Sequence, residues 1–168
     1  EGSHRWNQTF GFDAPIFSHF FRTPESMNEF LMGMHGFGMI TSPEIVRAFD
    51  LGRFQHLCDL GAATGHLAIA ACECYPSLRA TVFDLPHALE LAQSIVTTST
   101  VADRVSVVGG DFFEDPLPQA DLIALGRILH DWDESKIDRL LQRIYKSLPS
   151  GGGLLIGEKI INEERNGP

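Results

Sequence analysis

A histidine with an acid and a tryptophan beside it, His130-Asp131-Trp132, follows an apolar segment in the last third of the chain. An imidazole has an unperturbed pKa near ~6.5 and exchanges protons close to neutral pH. Glu158 ends the next predicted strand, where a carboxylate can orient the imidazole and stabilise its protonated form. This pattern predicts a general base that deprotonates a hydroxyl. A purely structural histidine is the alternative, since the chain has seven.

A loop of small residues, Asp59-Leu60-Gly61-Ala62-Ala63-Thr64-Gly65, separates a predicted strand from a predicted helix. Glycine permits a tight reversal and lets a ligand approach the backbone, and the helix N-terminus favours an anion. The spacing does not give the dinucleotide fingerprint G-x-G-x-x-G. It fits D-x-G-x-G-x-G better, with Ala63 in place of the central glycine. A plain strand-to-helix turn is the other interpretation.

Three further candidates follow strand ends. The two oxygens of Asp84 can accept hydrogen bonds from both hydroxyls of a ribose, although the residue can instead cap the helix that starts after Leu85. Asp111 and Phe112 are, taken alone, a turn aspartate and a core phenylalanine. Arg127 ends the fourth strand and can extend along the sheet edge.

The elements that would position these residues alternate along the chain from residue 56. Short segments rich in Val, Ile and Leu predict buried parallel strands, and amphipathic segments predict helices between them. The predicted strands are His56–Leu60, Ala80–Asp84, Val105–Val108, Leu122–Leu125 and Leu154–Glu158. The predicted helices are Thr64–Cys74, Pro86–Thr97 and Glu134–Leu148. The fold class is therefore α/β, with a doubly wound, mainly parallel sheet.

The region before this alternation predicts a helical lead-in. Thr23-Pro24-Glu25 starts one helix, and Thr41-Ser42-Pro43-Glu44 starts a second. A stripe of Met27, Phe30, Leu31 and Met34 is typical of core packing. We expect residues 1–52 to form this lead-in and residues 53–168 to form the catalytic core.

Four short signatures, in this order and spacing, together resemble the S-adenosylmethionine-dependent O-methyltransferases of the plant caffeic acid and animal hydroxyindole type. They are Asp59–Gly65, Phe83-Asp84-Leu85-Pro86, Gly110-Asp111-Phe112-Phe113 and Arg127–Trp132. The resemblance covers essentially the whole chain. It implies a Rossmann-like methyltransferase core with S-adenosyl-L-methionine as cofactor, S-adenosyl-L-homocysteine as its product, and no metal.

The resemblance also implies roles for single residues. Asp84 binds the ribose, Asp111 faces the adenine amino group, Phe112 packs against the ring, and the lead-in lies over the cofactor. His130 and Glu158 are the catalytic pair, and Asp131 faces the substrate. The full set of cofactor-binding candidates is Gly61, Asp84, Gly110, Asp111, Phe112 and Arg127.

Composition narrows the partners. With 168 residues and a net charge of -9, the chain repels phosphate backbones, so we expect no nucleic acid. No apolar run is long enough to cross a bilayer, and Cys58, Cys72 and Cys74 fit free thiols in the cytoplasm. The expected partner is a small hydroxyl-bearing acceptor. The resembling fold has two more strands and a helical dimerisation domain, so we expect a core segment of a homodimeric protein.

Three alternatives to O-methylation remain at this point. A methyltransferase-like module without catalysis is suggested by Ala63. A nicotinamide dehydrogenase is disfavoured by the glycine spacing. Relatives that use a bound sulfonium for other chemistry on polyketide-like substrates share the same motifs.

Overall fold

The computed structural model describes residues 23–160 and contains one parallel sheet of five strands. The first part of the predicted lead-in, residues 1–22, lies outside the described residues. The strand order is β3-β2-β1-β4-β5. The strands are β1 His56–Leu60, β2 Arg79–Asp84, β3 Val105–Gly109, β4 Leu122–Gly126 and β5 Gly153–Gly157.

Three helices between residues 23 and 160 connect successive strands as the sequence predicts, and another precedes the sheet. They are α1 Pro24–Ala48, α2 His66–Cys74, α3 Leu89–Thr98 and α4 Glu134–Ser147, with short 3-10 turns at Pro86–Ala88 and Leu129–Asp131. The predicted α/β class is confirmed, the predicted β1 coincides with the observed strand, and the other predicted strands differ from the observed ones by one residue at one or both ends. The predicted helix over 86–97 is divided into a 3-10 turn and α3.

Helices cover both faces of the sheet. Ala68 of α2 and Val96 of α3 belong to the core on one face. Leu140 and Ile144 of α4 are buried on the other face, against strands β1 and β4. In the register, Leu60 pairs with Phe83 on one side and with Leu125 on the other. The carboxyl ends of the strands are therefore level, and the loops that follow them meet at one edge.

Helix α1 corrects one prediction. The second helix expected at Thr41–Glu44 does not exist, because α1 is one 25-residue helix with Pro43 in its interior. An interior proline removes a helical hydrogen bond and normally ends or kinks the helix. Packing against α2 compensates here. The hydroxyl of Ser42 is buried and lies 2.8 Å from Nδ1 of His66, and a Cβ on Gly38 would come within 2.3 Å of that ring.

The start of α1 agrees with the prediction. Thr23 is its N-cap and forms a capping box with Ser26. Within the predicted apolar stripe, Leu31 is fully buried and the other three side chains are half-buried.

The three cysteines are free thiols, with Cys58 and Cys72 buried and Cys74 exposed. Burial raises the pKa of the Cys58 thiol to about 12.

Between residues 23 and 160, no helix has both the length and the apolarity of a membrane span. The His, Cys, Asp and Glu side chains of the same region do not gather in a group of three that could hold a metal ion.

Candidate active site

The glycine loop after β1 requires glycine at two positions. Gly61 and Gly65 have φ values of +67° and +77°, a region that disfavours other residues. The N–H of Gly61 donates to the carbonyl of Phe83 at 2.8 Å, which joins the loop to the end of β2. A Cβ on Gly61 would come 2.5 Å from Cδ1 of Ile128, so the loop also lies against the segment before His130.

Ala63, which replaces the central glycine, also has a left-handed conformation, with φ of +50°. An L-residue in this region costs about 1–2 kcal/mol. Its backbone N–H donates to Oδ2 of Asp84 at 2.7 Å, and this charge-assisted hydrogen bond offsets the strain. The loop thus keeps a conformation suited to glycine although alanine is present.

Asp84 is oriented by the backbone on both sides. Its Oδ2 accepts from Ala63, and its Oδ1 accepts from the N–H of Leu85 at 2.7 Å. Burial raises the pKa of the carboxyl, while these two N–H groups act in the opposite direction. A carboxylate has about four acceptor sites, so two backbone donors leave capacity for the hydroxyls of a ribose. The helix-cap alternative is not observed, because Leu85 occupies the cap position of the following turn.

Asp59 is a candidate that the sequence analysis missed. It is 2% exposed, and burial raises its pKa to about 7, while the backbone N–H of Ala68 lowers it and Asp84 raises it. Its Oδ2 is buried and has no hydrogen-bond partner within residues 23–160. A buried polar atom of this kind is costly and is often found at functional sites. The signal was an acidic residue at the head of the glycine pattern.

The turn after β3 carries Asp111 and Phe112. Oδ1 of Asp111 accepts from the N–H of Phe113 at 2.7 Å, so the turn-aspartate interpretation is correct as far as it goes. The N–H of Gly110 donates to the carbonyl of Asp84 at 2.9 Å, which places this turn beside the ribose candidate. A Cβ on Gly110 would come 2.5 Å from the ring of Phe83, so only glycine fits there.

Phe112 connects this turn to the neighbouring loops. Its ring is half-buried and contacts Phe113 edge-on, with centroids 4.8 Å apart. It also faces Trp132 at 6.4 Å, and its Cε1 lies 3.4 Å from a Cβ built on Gly61. Phe112 is therefore not purely a core residue, because it lies between the glycine loop and the histidine segment.

Arg127 follows β4 in an unusual conformation. Its φ is +60°, and its N–H donates to the carbonyl of Gly157 at 2.9 Å. The guanidinium lies 4.8 Å from the ring centroid of Phe37 in α1, in a cation–π contact. Its Nε is buried without a hydrogen-bond partner in the described part of the chain. The side chain is thus directed under α1 and does not extend along the sheet surface.

His130, Asp131 and Glu158 form a cluster at the ends of β4 and β5. Nδ1 of His130 is 3.0 Å from Oε2 of Glu158, and Nε2 is 3.4 Å from Oδ1 of Asp131. The other oxygen of Glu158 accepts from the N–H of Leu129 at 2.9 Å, which fixes the carboxylate. The imidazole is 48% exposed, whereas the two carboxylates are 18% and 16% exposed. The cluster thus places a half-exposed imidazole between two carboxylates, one of which is held by the backbone.

Two hydrogen bonds that the sequence analysis missed attach α1 to this region. Nδ1 of His35 lies 2.9 Å from Oγ1 of Thr64 in the glycine loop, and Ser42 pairs with His66 at the start of α2. Burial lowers the pKa of His66 to about 4, and His35 acts in the same direction. The spacing of these residues carries no signal, because their contacts join elements far apart in the sequence.

The structure brings every predicted site residue to the carboxyl edge of the sheet. These residues are Gly61, Asp84, Gly110, Asp111, Phe112, Arg127, His130, Asp131 and Glu158. The candidates for cofactor binding follow β1, β2 and β3, with Arg127 after β4, and the candidates for proton transfer follow β4 and β5.

Residues 1–168 match the O-methyltransferase domain family, and the chain belongs to this family. The resemblance and the Rossmann-like fold predicted from the sequence are thereby confirmed. The chain is 37% identical over 169 residues to acetylserotonin O-methyltransferase of Bos taurus, covering 100% of this chain and 49% of that protein. It is 39% identical over 167 residues to a probable bifunctional dTTP/UTP pyrophosphatase/methyltransferase protein of Homo sapiens, covering 98% and 27%.

A solved structure shows the same architecture. The crystal structure of human N-acetylserotonin methyltransferase in complex with SAM aligns with a TM-score of 0.89 at 36% identity. The alignment covers 100% of this chain and 48% of that one. The chain spans about half the length of its acetylserotonin relatives and about a quarter of the bifunctional one.

Proposed function

We propose that the protein transfers a methyl group from S-adenosylmethionine to a hydroxyl of a small aromatic molecule, with His130 as general base. One observation carries the proposal. The imidazole lies 3.0 Å from Glu158, and the backbone N–H of Leu129 fixes that carboxylate. This arrangement resembles the base-and-orienting-acid pairs of other enzymes.

The residues at the strand ends fit the cofactor. Asp84 would accept the ribose hydroxyls, and Asp111 and Phe112 would hold the adenine by its amino group and its face. The bare backbone at Gly61 and the N-terminus of α2 suit the methionine carboxylate of the cofactor. Among the described residues 23–160, Nε of Arg127 and Oδ2 of Asp59 are buried without a hydrogen-bond partner, and a charged ligand would satisfy them. When bound, S-adenosylmethionine supplies an electrophilic methyl group on a sulfonium.

His130 would remove the proton of the acceptor hydroxyl. With Nδ1–H donating to Glu158, the lone pair of Nε2 is available for that proton. Asp131, which lies beside Nε2, would contact the incoming hydroxyl and stabilise the imidazolium that forms. Glu158 would act as a positioning residue that fixes the tautomer and adds to this stabilisation.

The acceptor class rests on the relatives and on charge. The name of the bovine relative contains acetylserotonin, a compound that carries an aromatic hydroxyl. A net charge of -9 favours a neutral or cationic acceptor over an anionic one. Homodimerisation and a cytoplasmic location stay predictions.

Two measurements test this function. Calorimetric titration with S-adenosylhomocysteine measures cofactor binding, and a radiolabelled methyl-transfer assay against phenols and hydroxyindoles measures chemistry. We expect saturable 1:1 binding and transfer to at least one acceptor hydroxyl. Binding without transfer to any acceptor would favour a non-catalytic module, which the alanine at position 63 would suit. Absence of binding would reject the proposal.

A further inference from the structure

Helix α4 has a basic face, and two of its arginines contact the turn that carries Asp111 and Phe112. Lys136, Arg139 and Arg143 recur at helical spacing on this face. Such residues are often simply solvated, and the first two are exposed. Arg143 is half-buried, and its guanidinium donates to backbone carbonyls of that turn.

Four N–H groups of this turn, those of Asp111, Phe113, Glu114 and Asp115, donate to acceptors inside the turn itself. Asp111 donates its N–H to Oδ2 of Asp115 at 2.8 Å, and its carbonyl accepts from Glu114 and Asp115 at 3.0 and 2.8 Å. Its Oδ1 accepts from Phe113. These bonds define the shape of the turn, but they do not fix its position relative to the rest of the protein.

Three other carbonyl groups of the turn accept hydrogen bonds from the two arginines. Nε of Arg143 donates to the carbonyl of Phe112 at 2.9 Å, and its Nη2 donates to the carbonyl of Asp115. Nη2 of Arg139 donates to the carbonyl of Phe113 at 2.9 Å and also pairs with Glu114. The ion pair between Arg139 and Glu114 is exposed and contributes little to stability. Arg143, in contrast, joins the carbonyls of Phe112 and Asp115 to α4.

From this geometry we propose that Arg143 is a positioning residue for cofactor binding. By holding the carbonyls of Phe112 and Asp115, it sets the place of the Phe112 ring and of the adjacent Asp111 carboxylate at the adenine end of the site. The inference rests on the proposed function. A planar guanidinium can donate to two separated acceptors at fixed angles, and a lysine ammonium cannot reproduce this fork.

The test compares Arg143→Met and Arg143→Lys with Arg104→Met as a matched control. Arg104 also donates to main-chain carbonyls, those of Cys72, Tyr75 and Leu78, but it does so at the opposite edge of the sheet. Each purified protein is titrated with S-adenosylhomocysteine and with its hypoxanthine analogue, S-inosylhomocysteine, at a temperature where all variants are folded. The second ligand lacks the amino group that Asp111 would recognise.

We expect both Arg143 variants to bind S-adenosylhomocysteine about tenfold more weakly and to lose most of the preference for adenine over hypoxanthine. The Arg104 variant should lose thermal stability but keep the affinity and the preference of the wild type. Arg143→Met binding like the control, or Arg143→Lys restoring full affinity and preference, would overturn the inference. If the wild-type protein binds S-adenosylhomocysteine and Asp84→Ala does not, the proposed cofactor site survives either result.

Discussion

The backbone N–H of Ala63 donates to Oδ2 of Asp84 at 2.7 Å, so the residue that departs from the glycine pattern also orients the carboxylate expected to bind ribose. The departure and the binding site are thus parts of one structure. The loop has accommodated the alanine without losing the hydrogen bond that prepares Asp84.

Replacing Asp84 by alanine should weaken S-adenosylhomocysteine binding by about 30–100-fold, on the order of 2–3 kcal/mol, because two ribose hydroxyls lose their acceptor. Asp121→Ala is a matched control. That carboxylate also accepts from two backbone N–H groups, those of Gln55 and His56, at the far edge of the sheet. If calorimetry shows that folded Asp84→Ala binds S-adenosylhomocysteine with wild-type affinity, the assignment of Asp84 to ribose binding is refuted.

Replacing Ala63 by glycine should tighten cofactor binding severalfold, because it removes a methyl group expected at the point where the cofactor approaches the loop. It also relieves the backbone strain at φ of +50°. Stability should change little, since the relieved strain is offset by the more flexible unfolded chain. Paired titration and thermal-denaturation measurements check both statements. Equal or weaker binding in the glycine variant would show that the methyl group does not crowd the cofactor.

Asp59 should make the protein less stable as pH rises. Its pKa is raised by burial to about 7 in the folded state, against an ordinary value near ~4 in the unfolded chain. The unfolded state therefore releases this proton first, and its contribution to stability falls between about pH 4 and pH 7. The three-unit difference corresponds to about 4 kcal/mol, an upper bound for a single buried group.

Asp59→Asn removes this titration while keeping the shape of the side chain. Urea denaturation across pH 4–8 should show the variant gaining stability relative to the wild type as pH rises. His66, whose pKa is lowered to about 4, contributes the opposite slope below pH 6.5, and it does so in both proteins, so it cancels in the difference. A difference that does not change with pH would contradict a raised pKa at Asp59.

Much of this fold is visible in the sequence because its signals are local. Alternating apolar segments specify the strands, and the capping pattern at Thr23 specifies where α1 begins. The continuation of α1 through Pro43 was not predictable, because the compensating Ser42–His66 hydrogen bond joins residues from separate elements. Local rules predict that a proline ends or begins a helix, whereas tertiary packing keeps this helix continuous through Pro43.

The same distinction holds at the candidate site. Asp84, His130 and Glu158 could be predicted because they follow strand ends within recognisable motifs. The contacts of Arg143 with the adenine-side turn, and of His35 with Thr64, depend on how distant elements pack. No spacing within one element reports such contacts.

The central claim is that His130 is the general base. Its most direct test is the methyl-transfer rate of His130→Ala per folded molecule. The rate is measured with the best acceptor at saturating S-adenosylmethionine. His56→Ala is the control, because that imidazole lies away from the site. Its Nε2 is 2.8 Å from Oγ1 of Thr81. We expect a loss of roughly 10²–10⁴-fold for His130→Ala and a smaller loss for Glu158→Gln, with S-adenosylhomocysteine affinity unchanged in both. Wild-type turnover per folded His130→Ala molecule, accompanied by reduced stability and weaker cofactor binding, would contradict the account.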